Sequence, residues 1–300
     1  MKSKKAVHCP VLLKQSIDLL AVKKGGLYID ATVGAGGHAA EILKRGGQLL
    51  GFDLDKQMLK LAKAHLESAC PNGPWQLKQA NFRDLALIAN QMGFGPVRGI
   101  LFDLGLSSFH YRKARRGFSF QDQVKLDMRI SNQGETANAL LKQVSQKKLT
   151  QILQDYAQEP LAVEIAQAII KERGRDGLTA ARLARLIEEI YFLKGRGRTK
   201  THPATRTFLA LRLWVNKEAE NLKAGLKGGL SVLKTNGRLV IISFHSGEDR
   251  IVKQQFKKWQ KEKRGKALTP TPIFPDSKEI KENPLSRSAV LRGFKKTSEI

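Results

Sequence analysis

The sequence predicts an α/β protein, a doubly wound, Rossmann-like sheet interrupted by a helical insertion. Three observations predict it. Short apolar runs alternate with helix-patterned segments over the first hundred residues. A glycine-rich turn, GAGGHA (Gly34 to Ala39), follows the first of those runs. The strand pattern then vanishes from about Arg112 to Lys200 and returns at GRLVIISFH (Gly237 to His245).

Taken in order, GLYIDATV (Gly26 to Val33), QLLGFDL (Gln48 to Leu54), WQLKQAN (Trp75 to Asn81) and GILFDLGL (Gly99 to Leu106) read as short buried strands bounded by turn residues. Between them DKQMLKLAKAHLESA keeps helical spacing, with Met58, Leu61, Ala62 and His65 on one stripe. A β-α-β-α order of this kind argues for parallel strands with helices on both faces. In the middle stretch only helical stripes remain: Leu149, Ile152, Leu153 and Tyr156 on one, Leu183, Leu186, Ile187 and Ile190 on another. The expected organisation is therefore 1–111 as the first part of the sheet domain, 112–200 as the helical insertion, and 201–300 as the second part. The Pro- and charge-rich stretch from Leu268 to Asn283 reads as an extended loop.

Charge narrows the partner. Fifty-three Lys and Arg against 27 Asp and Glu leave a formal charge of +26, a self-repulsion that is usually offset by a polyanion. RKARR (Arg112 to Arg116), KGRGRTK (Lys194 to Lys200) and KKWQKEKRGK (Lys257 to Lys266) concentrate it. A charge run can also be a solvated face. Nucleic acid is favoured over membrane, since no cluster lies on an amphipathic helix with a large aromatic face. Two widely separated cysteines, Cys9 and Cys70, with no CxxC, indicate neither a disulfide framework nor a structural zinc site. No apolar run reaches the length of a membrane span, and the few residues before His8 leave no room for a transit peptide. The expected location is the cytoplasm.

Candidate site residues gather at the strand ends. Gly34 to Ala39 formally fits G-x-G-x-x-G/A, and Asp53 closes the next strand where a ribose-binding carboxylate belongs. That pattern alone serves a dinucleotide or S-adenosylmethionine. Asp30, just before the turn, favours the second, because a fixed anion repels a pyrophosphate and suits an ammonium and a sulfonium. The competing reading of Asp30 is a turn residue bonded to the loop's own amides. His38 opens the following helix, where a capping or solvated residue is the simpler reading. Phe82, in NFRD, could lie on an adenine or belong to the core. Asp103 lies at a strand's carboxyl end, where it can accept a hydrogen bond from an amine or form a turn. Ser107 and Ser108 lack a nucleophile-elbow context. The six histidines show no metal-binding spacing.

HCPVLL, YIDATVGAGGHAAEIL, GFDLD, NFRDL, GILFDLGLSS, RGFSF, LDMR, HPATRTFLALRLWVN, GRLVIISFHSGEDRIVK and NPLSRSAVLR occur in one order. Together they resemble the bacterial small-subunit rRNA cytosine-N4 methyltransferases, the RsmH or MraW family, from about His8 to Phe294. The resemblance implies a class I S-adenosylmethionine-dependent methyltransferase sheet with a helical substrate-recognition insertion. It also implies methyl transfer to the exocyclic amine of a cytosine in small-subunit (16S) rRNA near the decoding centre. Gly36, Gly37 and His38 match the family's loop around the methionine part of the cofactor. Asp53 matches its ribose-binding acid, Phe82 its adenine-side contact, Asp103 a contact beside the reaction centre, and position 110 another cofactor contact. Here the chain departs from the family, reading SSFHYRK where SSPQLDD is usual, so His110 stands in place of Gln and Arg112 and Lys113 in place of acids. Val124-Lys125 replaces a common Gly-Pro before LDMR, and Gly247 a common Leu.

The chemistry suits the residues. Cytosine N4 is a poor nucleophile because its lone pair is delocalised, so a carboxylate that accepts an N4 proton would assist it. Alignment of donor, methyl and amine carries much of the rest. No metal or covalent intermediate is required, and Asp103 is the expected acceptor. The base would be flipped or unstacked, with surrounding phosphates gripped by basic segments; Arg206 in HPATRTF is a candidate contact or a buried structural arginine. The alternatives are a nicotinamide oxidoreductase and a non-catalytic RNA-binding protein on the same fold.

Overall fold

The computed structural model describes residues 10–105, 115–174, 177–196 and 201–297. It divides into two compact units, Met1–Gly105 with Ala219–Ile300, and Leu106–Glu218. In chain order the first unit supplies α1 (Leu13–Leu20), β1 (Leu27–Asp30), α2 (Gly37–Lys44), β2 (Gln48–Asp53), α3 (Lys56–Ala69), β3 (Trp75–Gln79), α4 (Leu85–Gln91) and β4 (Val97–Asp103). The second holds α5 (Ala137–Gln143), α6 (Gln146–Ala157), α7 (Ala162–Glu172), α8 (Ala180–Leu193) and α9 (Thr205–Asn216). The chain then completes the first unit with α10 (Glu218–Val232), β5 (Leu233–Ser243), α11 (Ser246–Lys261), β6 (Gly265–Ala267), α12 (Ser277–Glu282) and β7 (Val290–Lys296). Among the described residues no helix is long and apolar enough to cross a membrane.

The strands form one sheet in the order β3-β2-β1-β4-β5-β7-β6. β1 to β5 run parallel, and β7 is antiparallel to both of its neighbours. Strands covered on both faces must be apolar on successive residues. Consecutive side chains accordingly serve opposite cores. Ile29, Leu50, Ile100 and Ile241 face α4, α10 and α11 through Leu85, Leu226 and Phe256. Tyr28, Leu49, Leu101 and Val240 face α1, α2 and α3 through Ile17, Ile42 and Ala62. The helical stripe expected on α3 is corrected at one position: Leu61 is 47% exposed, and Leu66, one turn on from Ala62, is buried instead. The stretch from Leu268 to Asn283 is likewise not wholly an extended loop. It contains α12, whose cap Asp276 accepts from Glu279 N, and Thr269 is buried where its hydroxyl accepts from Gly293 N.

In the second unit the described residues hold helices and one isolated bridge, Lys125 to Thr179. Thr136, Ser145 and Thr179 cap α5, α6 and α8 by accepting from the amide three residues on, which satisfies donors that a helix start leaves open. Its core joins Leu149 and Leu153 to Leu183, Ile187, Phe208 and Leu211. Because α9 shares that core, this unit runs to residue 218, beyond the 112–200 expected from strand periodicity. Asn216 ties α9 to the LDMR segment: its Oδ1 accepts from Ile130 N, and its Nδ2 donates to the carbonyls of Met128 and Arg212, each at 2.8 Å. Asn216→Ala removes all three bonds and leaves the Ile130 amide and the Met128 carbonyl without these partners, so its expected cost is about 2 kcal/mol. Urea unfolding should show the midpoint falling with an unchanged slope.

Candidate active site

The strand order reverses between β1 and β4, and in open α/β sheets ligands settle outside the carboxyl ends at such a point. Here three neighbouring strands, β2, β1 and β4, each end on an aspartate: Asp53, Asp30 and Asp103. The register sets Asp30 beside Gly51 on one side and Leu101 on the other.

Their environments differ. Asp30 is 1% exposed, and its Oδ1 accepts from Thr32 N at 3.2 Å, the local turn bond. Asp53 accepts from Gly34 N at 2.9 Å through Oδ2 and from Asp55 N at 2.8 Å through Oδ1, so it pins the glycine turn to the end of β2. Asp103 keeps a fifth of its side-chain surface open. Its amide donates to Thr32 Oγ1 at 2.6 Å, and its Oδ1 accepts from Gly105 N at 3.4 Å.

Burial dominates the electrostatics. It pushes Asp30 up to about 8, helped by the charges of Asp103 and Asp53. It raises Asp103 to about 7, with Glu248 adding repulsion, and Asp53 to about 6 against the pull of its backbone donors. Among the described residues no ion pair reaches Asp30, so burial holds this expected anion toward its protonated form near neutral pH. A cation at these strand ends would relieve all three carboxylates. That requirement fits the positive groups of S-adenosylmethionine and disfavours a pyrophosphate.

The glycines have identifiable neighbours. Gly36 has φ +87°, and a Cβ there would press on the Ala62 backbone of α3 at 3.3 Å. At Gly37 a Cβ would overlap Pro10. Close packing of turn, N-terminal segment and α3 thus demands both residues. The His38 ring is buried. Its Nε2 lies 3.1 Å from the Val11 carbonyl, which can only accept, so Nε2 carries the hydrogen and Nδ1 turns toward Asp103 Oδ2 at 3.8 Å. The ring thus serves the N-terminal segment and faces Asp103, where a helix cap or solvated residue was the plainer expectation. Phe82 is half-buried in the short turn after β3, edge-on to Phe102 at 5.7 Å and beneath Gly225, where a Cβ would clash with it. His110, Ser107, Ser108, Arg112 and Lys113 lie outside the described residues.

Glu248 and His245 were absent from the residue-by-residue expectations. His245 caps α11 by accepting from Glu248 N, while Glu248 Oε2 reaches back to accept from Phe244 N at 2.8 Å. This is a variant of the capping box, with histidine in the cap position and the glutamate reaching the amide one residue before the cap, and the H-x-x-E spacing was the available signal. Phe244 in turn packs over Gly105, just past Asp103. Arg292 closes the motif, its guanidinium donating to Asp249 at 2.6 and 3.0 Å. In HPATRTF most of the specificity is internal. Ala204, Thr207 and Phe208 are buried, and His202 stacks on Phe120 at 4.2 Å. Thr207 also donates to the buried Glu159, which accepts from Tyr191 at 2.6 Å. Arg206, by contrast, is exposed, which removes the buried structural role.

A doubly wound sheet with one reversed strand, a glycine turn after β1 and acidic strand ends defines the class I methyltransferase type of α/β domain. The chain belongs to the MraW methylase family, whose profile matches residues 5–297. A protein of Thermomicrobium roseum named Ribosomal RNA small subunit methyltransferase H is 43% identical over 95% of this chain and 92% of its own length. Proteins of the same name from Symbiobacterium thermophilum and Coprothermobacter proteolyticus are 40% and 41% identical, each over 96% of both chains.

Proposed function

We propose that this chain is an S-adenosylmethionine-dependent methyltransferase that acts on the exocyclic N4 of a cytosine in small-subunit rRNA, near the decoding centre. The observation that carries the reading is the row of three aspartates with raised proton affinity on β2, β1 and β4, in a chain that the methylase family matches over residues 5–297.

The bound cofactor would supply an electrophilic methyl group on a positively charged sulfur. Gly36, Gly37 and the His38 backbone would shape the turn around its methionine part, Asp53 would take its ribose, and the open part of Phe82 would lie toward its adenine. Asp103, with His110 as a further contact, would stand at the reacting end. In its ionised form the partly open Asp103 carboxylate accepts a proton from N4, localises the nitrogen lone pair and retains that proton once the amine is methylated. The Gly105 amide donates to the carboxylate and holds it in place. The second unit would recognise the surrounding RNA, or the assembling subunit, with Arg206 available to a phosphate. The enzyme would work in the cytoplasm, where its substrate is made.

The test incubates the purified protein and S-adenosylmethionine with small-subunit rRNA, followed by nucleoside mass spectrometry. N4-methylcytidine is the expected product. Methylation at carbon 5, or saturable binding of NAD without binding of S-adenosylmethionine, would overturn the assignment.

A further inference from the structure

Helix α11 carries a row of cations for which its own packing has no use. Arg250, Lys253, Lys257 and Lys261 fall at i, i+3, i+7 and i+11 and are all exposed, so they lie along one side of the helix. Val252, Phe256 and Trp259 occupy the opposite side, buried in the sheet core with Phe294 of β7.

The local sequence offers these cations no counter-charge. Lys257 has lysines at both i−4 and i+4, namely Lys253 and Lys261. The acid nearest Lys253 along the helix, Asp249, is engaged by Arg292. Glu248 is buried and turned back to Phe244 N. The acid that follows the helix, Glu262, pairs with Lys258 and Arg264, outside the row. Among the described residues no ion pair joins any of the four. Like charges one turn apart repel, and Arg250 and Lys253 stand in the half of the helix nearer its N-terminus, where the macrodipole disfavours cations. The dipole accounts for Lys261 alone.

An anion lying along the helix would reconcile these charges. The rise of about 1.5 Å per residue separates successive cations by roughly 4.5 to 6 Å along some 16 Å. That is a linear array, suited to a string of backbone phosphates rather than to one compact anion. No large apolar residue interrupts it, as a membrane-seated helix would require. The row begins beside the reacting edge, because α11 follows β5 directly and Ile242 of β5 pairs with Asp103.

We propose that Arg250, Lys253, Lys257 and Lys261 form a phosphate track on the catalytic unit, gripping RNA that flanks the target nucleotide. This rests on the reading of the chain as an RNA methyltransferase.

The experiment compares three full-length proteins: the parent, a Lys253→Gln, Lys257→Gln, Lys261→Gln variant, and a control with Lys23→Gln, Lys24→Gln and Lys44→Gln. The control lysines are exposed and their loss changes the charge equally. Binding of a small-subunit rRNA fragment is measured across a salt series, alongside methyl-transfer kinetics and thermal melting. Removing three phosphate contacts should flatten the slope of log K against log salt by about 2, and KM for RNA should rise about tenfold near 0.15 M salt. Turnover at saturating RNA and cofactor affinity should match the parent. The melting temperature should be equal or higher, since a repulsion has been removed. A slope equal to the parent's, or an equal loss in the control, would overturn the track. A parent that methylates no RNA would overturn the proposed function, whereas a methylating parent with an unaltered track variant would overturn the track alone.

Discussion

Asp103→Asn is expected to lower the turnover of methyl transfer by roughly 10²- to 10⁴-fold, the range that a lost proton acceptor commands, with S-adenosylmethionine affinity held within about threefold. The amide is nearly isosteric, its oxygen still accepts from Gly105 N, and the bond to Thr32 uses the backbone of residue 103. Folding should therefore survive while the proton-accepting lone pair is lost. The pH profile discriminates further. Burial and Glu248 raise Asp103 to about 7 in the ligand-free protein, so parental kcat/KM for the cofactor, which reports the free enzyme, should climb as pH passes through 7 and the carboxylate ionises. The variant should lack that limb. Isothermal titration with cofactor, beside single-turnover kinetics, checks both halves. A parallel collapse of affinity and rate would make Asp103 a cofactor ligand without a chemical role.

The second large effect is on stability. A carboxylate whose proton affinity is raised in the folded state stabilises the fold below its unfolded value near 4, and that contribution disappears as pH rises through the folded value. For Asp53, Asp103 and Asp30 the window runs upward through about 6, 7 and 8. The ligand-free protein should lose stability across that range. Asp30, fully buried and raised from 3.8 to about 8, accounts for the largest share, on the order of 5 kcal/mol. Asp30→Asn should therefore raise the urea midpoint relative to the parent at pH 9 and raise it by less than half as much at pH 5.5, where most of the loss has still to occur. Midpoints that differ by the same amount at both pH values would refute the assignment. Adding S-adenosylmethionine should stabilise the parent more at pH 9 than at pH 6.

Much of the sheet was legible because parallel strands covered on both faces must be apolar on successive residues, as QLLGFD and GILFD are. The reversed strand β7 was not. VLRGFKK alternates weakly, and its partner β5 is about fifty residues away along the chain, so only tertiary pairing shows it. The extent of the second unit was blurred for a related reason: α9 belongs to it through the burial of Phe208 and Leu211, which helical periodicity cannot assign to one core or another. At the site, strand-end position pointed to Asp53 and Asp103 directly. The inward turn of the His38 ring could not be read, since a histidine in a first helical turn looks the same whether it caps or packs. Glu248 was hidden for the opposite reason: its capping spacing describes a helix start and says nothing of the aspartate whose charge it opposes.

Once its methyl group has gone, a sulfonium becomes a neutral thioether, and the acidic ends of β1, β2 and β4 lose the charge they favour. On the proposed function, the spent by-product would be held with one favourable charge fewer, and fresh donor would compete for the same ground with that charge in its favour.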